Sequence, residues 1–592
     1  MKINHATTNL LAAVLLIFML ALGFFSVLGD STTMDELAHI PAGYSYIVQK
    51  DMRLNPEHPP LLKDLAGLAV LIGSKITGTK INFPGQDASW QKNINAQWDF
   101  GAKFLYQSDN DPDKIVLWAR LPMLLIMLLL GLYVFKWCRE IYGNKAGLIA
   151  LFFYSFSPTF LAHSRLVTTD VGAAAAFFIA LYYFVRWLKK QNLTNLIFAG
   201  VALGLAFLTK FSLILIIPLF GFLTLIWVLV KNWPKGKPAL LKSALKSFVW
   251  LALIGVIAMA LVWPVYLYHT WNYPPDKQRA DTEFILDSYG NRLLAEPVVW
   301  AASQPLLRPY GQFFLGVLMV IQRAVGGNTT YFLGEVSNLG WPSYFPIVFL
   351  LKVPLALLAL MLISLACSIY QINRPFFKKS FRWLKENFSQ FALASLFILY
   401  WTTTLRSNLN IGVRHILPTF PVLYILVSGQ IAKLLNKKDS ILKPLVTLVL
   451  IWYGLGTIMV YPFFLTYFNE LAGGPENGYK YVTDSNLDWG QDLKRLVQYA
   501  QDNNIQSIYL DYFGGDSPAY RFGGKYQYWW GERNPKELPE DAWLAVSATF
   551  LQGGRGVTAA GFNQTTGFYD WLNSYQPVAV IGNSIFVYHI RK

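Results

Sequence analysis

Charge is what this sequence has least of. Only 14% of its 592 residues are Asp, Glu, Lys or Arg, where soluble domains carry about 25%. Apolar residues make up 54% and aromatics 16%, which excludes an ordinary soluble globule and indicates a membrane protein. Cysteine is almost absent. Cys138 and Cys367 are the only two, too few for a disulfide framework, and both read as inert core residues near span ends. Cys/His spacing for structural zinc, a phosphate-binding loop and a dinucleotide fingerprint are all missing, as are internal repeats and low-complexity segments. Acids are outnumbered 34 to 50 by Lys and Arg, giving a net charge of +16. In a soluble chain this would suggest nucleic acid. Here the basic residues cluster in short loops between apolar stretches, so topology explains them and no nucleic-acid partner is expected.

A span needs roughly 20 apolar residues. On that measure about eleven segments cross the membrane, centred near residues 20, 126, 153, 178, 201, 221, 257, 357, 397, 425 and 452. The N-terminal stretch lacks a small-residue cleavage site and reads as a retained helix. Basic clusters follow every second crossing: Lys136, Arg139 and Lys145; Arg186, Lys189 and Lys190; then residues 231–246, 374–385 and 433–443. The positive-inside rule makes these loops and the N-terminus cytoplasmic. The other face then holds the loops 29–114 and 270–344 and everything beyond 461. The chain is expected to sit in the inner (plasma) membrane as a multi-pass protein. Residues 59–74 read as an amphipathic helix at the interface, and 271–309 as a second surface-lying stretch.

From about residue 464 the apolar runs shorten and charges of both signs mix. A helix is predicted over 490–503 and strands over 507–512, 542–547, 578–582 and 584–590. The fold expected is mainly α: a transmembrane helical bundle over 1–463 and a small extracytoplasmic α/β domain over 464–592.

The polar residues of the outer face form four groups. Asp35 and Glu36, with His39 a turn later, follow the first span, where a base could reach water beneath an apolar roof; the bland reading is two solvated acids at a helix end. Glu57-His58-Pro59-Pro60-Leu61, with Lys63, reads as a proline-fixed helix start whose cations face anionic headgroups, or as simple anchoring. Arg165 and Asp170 fall between two spans, as a structural ion pair or as a phosphate contact with its orienting acid. Lys210, Lys352, Arg406, Arg414 and His415 are cationic at outer span ends, where positive-inside disfavours them; anionic lipid or lipid phosphate would explain them. Lys352 is expected to snorkel. Asp484, Asp488, Trp489 and Asp492 read as acids and an aromatic introducing a helix, with sugar or acceptor binding by Asp488 and Trp489 as the alternative. His39, His58, His163, His269 and His415 share the outer half, but their spacing is too irregular to predict a metal; no cofactor is predicted, and a divalent metal is possible but unsupported.

Asp35-Glu36 after the first span, His58-Pro59-Pro60-Leu61 with Lys63, and the stretch from Arg165 to Asp170 resemble, in order and sidedness, the protein O-mannosyltransferases. These belong to the GT-C class of membrane glycosyltransferases, which use polyprenyl-phosphate sugars. The stretches Tyr467-Phe468-Asn469-Glu470-Leu471-Ala472-Gly473-Gly474-Pro475 and Asp484-Ser485-Asn486-Leu487-Asp488-Trp489-Gly490-Gln491-Asp492 look like a bacterial family-39-like subgroup. The chain departs from eukaryotic members, which insert a β-trefoil domain between spans, in carrying a C-terminal α/β domain. The resemblance implies Asp35 as general base, Glu36 as its support, His58 and Lys63 near the donor, and Arg165 and Asp170 as a second outer motif, with Glu57 and Asp170 orienting. Lys210, Arg406, Arg414 and His415 join the donor-phosphate set by sidedness alone.

The expected reaction is a single inverting displacement at the sugar C1, from a polyprenyl-phosphate donor to the hydroxyl of a glycan, lipid or protein acceptor. The competing readings are a transporter or flippase of lipid-linked sugar, which would place charge at mid-membrane and break its helices, and a non-catalytic scaffold.

Overall fold

The computed structural model describes residues 4–232, 237–370, 376–437 and 442–591. Residues 1–3 and parts of the basic loops at 231–246, 374–385 and 433–443 lie outside this set.

All eleven expected span centres fall on helices. Seven described helices are long and apolar enough to cross a bilayer: His5–Val27, Pro112–Tyr142, Asp170–Lys189, Phe211–Asn232, Pro238–His269, Val413–Asn436 and Leu442–Met459. An eighth is broken, its halves Tyr344–Lys352 and Leu355–Tyr370 meeting at 109°. Pro354 lies at the break, where its missing N–H and its ring stop a helix. Three further centres fall in the shorter Asn144–Ser155, Leu193–Phe207 and Phe388–Thr404 helices. The chain is a multi-pass membrane protein built mainly of α-helices.

Contacts at the helix ends agree with the alternation of basic loops. Arg139 bonds Asn9 (2.8 Å), Lys145 bonds Asn436 (3.1 Å) and Lys189 bonds Ser389 (2.7 Å), which gathers the basic ends on one side.

The loop 29–114, expected as a long polar loop, is largely helical. Met34–Gln49 starts on Thr33, whose N–H is accepted by the Glu36 carboxylate at 3.0 Å, the reach-back of a capping box. It ends on Lys50 in the left-handed region (φ 55°). The predicted interfacial helix forms as Leu61–Thr77. It buries Leu62, Ala66 and Val70, and exposes Leu68, Ile72 and Ile76. Two glycines set how it packs. A Cβ on Gly43 would lie 2.1 Å from the Lys63 carbonyl oxygen, and one on Gly67 2.3 Å from that of Gly43, so the two helices cross backbone to backbone. The second stretch becomes Pro275–Ile285 and Arg292–Ser303, packed with Arg308–Gly326.

The C-terminal part holds a five-stranded mixed sheet. Ile508–Asp511 pairs in parallel with Tyr526–Tyr528 and with Asp541–Ser547, which pairs antiparallel with Ile585–Arg591; Ala579–Ile581 closes the edge. Tyr526–Tyr528 escapes the sequence pattern because three residues give no periodicity. Strand alternation divides the sheet's faces. Ile508, Leu510, Ala545, Ile585 and Val587 pack with Leu493 and Leu496 of the Leu493–Asp502 helix. Leu544, Val546, Phe586 and Tyr588 join the main core that runs through the membrane helices. A second tie is a three-stranded sheet in which Glu335–Ser337 pairs in parallel with Val557–Thr558.

Candidate active site

The adjacent acids Asp35 and Glu36 part company, because neighbouring helix positions point about 100° apart. Glu36 is fully buried. Arg120 grips it bidentately, Nε to Oε1 at 2.8 Å and Nη2 to Oε2 at 2.6 Å, and Val167 N–H donates to Oε1 at 3.0 Å. Burial works to raise the Glu36 pKa; the Arg120 guanidinium and the backbone N–H groups overcome it and hold the carboxyl below its ordinary value. Glu36 thus fixes the helix start that presents Asp35.

Asp35 turns toward a different network. Its Oδ2 accepts from Arg414 Nη1 at 2.6 Å, and its side chain is 24% exposed. The same nitrogen lies 3.4 Å from Asp170 Oδ2, while Asp170 Oδ1 accepts from Lys210 Nζ at 2.6 Å. Four residues from four segments, separated by up to 379 positions, therefore form one chain: Asp35, Arg414, Asp170, Lys210. Local structure explains each placement. Asp170 opens its helix, where an acid meets the positive end of the dipole. Lys210 sits at the break before the short Phe211–Leu215 turn. Arg414 follows Gly412, whose φ of 126° favours glycine.

Other expected members stand apart from this chain. Arg165 does not pair with Asp170; its Nη1 meets Asp30 Oδ2 at 2.6 Å, and Asp30 also binds Arg495 at 2.8 Å. Lys63 does not face headgroups. It is buried, and its Nζ donates to Tyr46 Oη (2.9 Å), His58 O (2.8 Å), Asn55 O (2.8 Å) and Asn55 Oδ1 (2.7 Å). Burial lowers its pKa to about 7. Lys63 thereby holds the 55–58 loop, and Glu57 ties that loop onward to Gln97 at 2.5 Å. His58 sits edge-on to His39, ring centres 5.1 Å apart. Burial keeps His58 well below its ordinary pKa and lowers His39 too, though Asp35 pulls His39 upward. His39 Nδ1 donates to Val167 O at 2.8 Å, as a neutral ring would. His415 stacks on Phe345, with 6.4 Å between ring centres. Arg406 is exposed and forms no ion pair among the described residues. Lys352 does not snorkel: it is buried, with Nζ 2.8 Å from Leu465 O and 2.6 Å from Asn486 O. Those carbonyls replace the water that snorkelling would reach.

Some neighbours were not singled out by the sequence. Arg120 was hidden as one charge near the end of an apolar span, which is itself a signal. Arg323, a cation in the 270–344 stretch expected on the outer face, lies in the Arg308–Gly326 helix and acts electrostatically on both His58 and Asp484. Asp484, expected as an acid introducing a helix, lies well before the helix at Leu493–Asp502. Burial raises its carboxyl to about 6; Arg414 pulls it down and Asp35 pushes it up. Among the described residues no group of three or more His, Cys, Asp or Glu is arranged to hold a metal ion.

An apolar groove of about 480 Å³ is lined by Phe211, the neighbour of Lys210 in the chain. Phe207, Phe220, Met259, Phe313 and Val317 line it too. The Arg308–Gly326 helix carries both Val317 and Arg323.

Residues 116–268 match the family described as dolichyl-phosphate-mannose-protein mannosyltransferase, so the resemblance to protein O-mannosyltransferases holds. The matched stretch includes Arg120, Arg165, Asp170 and Lys210, and excludes Asp35 and Arg414. No curated protein matches the chain. Among solved structures, the apo oligosaccharyltransferase of Archaeoglobus fulgidus is 14% identical over 77% of this chain and 55% of its own, with a TM-score of 0.46. The chain thus spans about half the length of that protein. ArnT from Cupriavidus metallidurans, bound to undecaprenyl phosphate, is 12% identical over 98% of this chain and 97% of its own, with a TM-score of 0.45. The S. cerevisiae protein O-mannosyltransferase Pmt1–Pmt2 complex, bound to the sugar donor, is 17% identical over 46% of this chain and 34% of its own, with a TM-score of 0.35.

Proposed function

We propose that this chain is an inverting membrane glycosyltransferase that moves a sugar from a polyprenyl-phosphate donor to an acceptor hydroxyl at the non-cytoplasmic face of the plasma membrane. One observation carries the reading: a partly exposed carboxylate, Asp35, shares a network with Arg414 and Lys210, and Phe211, the residue after Lys210, lines an apolar groove. The family matched over 116–268 supports it. The polyprenyl chain would lie in the groove and bring its phosphate to Lys210 and Arg414, with the exposed Arg323 at the rim.

The acceptor oxygen attacks C1 as the bond from C1 to the phosphate oxygen breaks. The bonding electrons leave with the polyprenyl phosphate, and the acceptor proton passes to Asp35. A phosphate monoester is a good leaving group, so the cations stabilise the departing charge and no acid is needed. Asp170 keeps Lys210 and Arg414 together. Glu36, Lys63, Glu57 and Arg165 support the frame around the reacting atoms. With one base and no nucleophile, the configuration at C1 inverts.

The transporter reading has one feature in its favour, the broken pair at 109°. Lys352, next to that break, bonds Asn486 O at 2.6 Å, so the break lies against the candidate site rather than in a charged mid-membrane passage.

A deletion strain tests the proposal. Mass spectrometry is expected to show accumulated polyprenyl-phosphate sugar and a lost glycan, both restored by the wild-type chain. Asp35→Asn should transfer about a hundred- to ten-thousand-fold more slowly while remaining folded in the membrane. Full restoration by Asp35→Asn would refute the base, and a retained anomeric configuration would refute the single displacement.

A further inference from the structure

The segment from Asp484 to Gln491 belongs to the C-terminal part of the chain, yet it bonds to the residues that lead into the helical starts carrying Asp35 and Arg414. On the Arg414 side, Asn486 Oδ1 accepts from Val413 N at 2.9 Å and Ser485 Oγ donates to Ile411 O. The fit there is close: a Cβ on Gly412 would lie 2.5 Å from Ser485 Oγ. On the Asp35 side, Ser31 N donates to Gln491 O at 2.8 Å and Met34 N to Trp489 O at 3.0 Å. From behind, Thr549 N donates to Asp488 Oδ2 at 2.9 Å, and Asp484 N donates to Thr549 Oγ1 at 3.1 Å. Asp484 holds a φ of 55° to make this turn, a conformation in which Asp is among the least penalised residues.

Trp489 stacks on one half of the ion pair and holds the backbone beside the other. Its indole lies under the Arg414 guanidinium, 4.2 Å from Cζ to the ring centre. Its carbonyl accepts from Met34, the residue before Asp35. Gln491 Oε1 accepts from the Trp489 N–H at 2.9 Å, and the ring is 1% exposed with His163 edge-on to it. A tryptophan face is the strongest aromatic partner for a guanidinium, and burial strengthens the attraction.

We infer that Trp489 is a positioning residue which sets the distance and orientation of Arg414 relative to Asp35, so that the C-terminal part is a working piece of the membrane site. The purpose of that positioning rests on the reading of Asp35 as base; the positioning itself does not. Without the indole, Arg414 keeps its carboxylates but loses the surface that fixes its plane, and Asp35 is left more open to water.

The test labels carboxyls of the purified full-length protein in lipid nanodiscs with a water-soluble carbodiimide and glycine ethyl ester, and reads Asp35 and Glu36 by peptide mass spectrometry. Asp35 is expected to label at least about threefold faster in Trp489→Leu than in wild type, the weight of one cation–π contact. Trp489→Phe, which keeps an aromatic face, should stay within about twofold of wild type. Glu36, buried against Arg120, reports the fold and should stay unlabelled throughout. If Trp489→Leu disturbs Glu36, Trp489→Met supplies the same comparison with a more adaptable side chain. Equal Asp35 labelling in wild type and in the non-aromatic variant, with Glu36 silent, overturns the inference. Equally fast labelling in Trp489→Phe and Trp489→Leu overturns it as well. The labelling needs neither donor nor acceptor, so its failure is distinct from a failure of Asp35→Asn to abolish transfer.

Discussion

At the scale of single residues, the molecule uses charge in two ways. Glu36–Arg120 and Asp30–Arg165 are buried pairs with every side chain at most 3% exposed, whereas Asp35 keeps a path to water. Arg120→Met should therefore lower stability by about 3–5 kcal/mol, because it strands a buried carboxylate. Adding Glu36→Gln should recover part of that loss, as thermal unfolding in detergent would show. Asp484 gives a pH-dependent counterpart. Its folded pKa, about 6, lies above the ordinary 3.8, so the folded chain binds this proton more tightly than the unfolded one. Stability from this group is thus lost as pH rises through the interval between the two values. Asp484→Asn is expected to raise the melting temperature at pH 7, by a margin that shrinks steadily on acidification from about pH 6 to about pH 4. The motif resemblance pointed to Asp35 and Asp170, and sidedness to Lys210 and Arg414, along with Arg406 and His415, which stand outside the ion-pair chain. Sidedness could not separate Asp35 from Glu36, nor show that Lys63 and Arg165 serve the frame, because their partners, Asn55 and Asp30, are identified by folding rather than by spacing.

At the scale of elements, the crossing of Met34–Gln49 and Leu61–Thr77 governs where Asp35 points. The two glycines put carbonyl oxygens where any side chain would sit. Gly43→Ala and Gly67→Ala should each cost about 1–3 kcal/mol or more by overpacking, a loss read as a lower melting temperature. Both should also slow transfer, because the Asp35 helix must shift to make room. The helices themselves were legible from periodicity and length. The break at Pro354 and the three-residue strand Tyr526–Tyr528 were not, since a kink and a short edge strand depend on what packs beside them.

At the scale of the whole molecule, the C-terminal part is joined to the bundle by a shared core, a parallel strand pair and ion pairs of unequal worth. Lys494 and Arg521 both meet Asp113, whose side chain is 50% exposed, and such pairs contribute about 0–1 kcal/mol. Asp113→Asn should be nearly silent in thermal unfolding. Arg495→Met should be costly by the same measurement, because Asp30 and Asp492, each at most 2% exposed, would lose their shared cation. The pairing of Asp30 with Arg495 also has a consequence for the order of synthesis. Arg495 leaves the ribosome 465 residues after Asp30. Until then Asp30 has Arg165 as its one cationic partner among the described residues, and the cation that meets its other carboxylate oxygen does not yet exist. A chain released before its last hundred residues would leave Asp30 half-paired and Asp30 and Gly29 open to water where Arg495 packs in the finished fold.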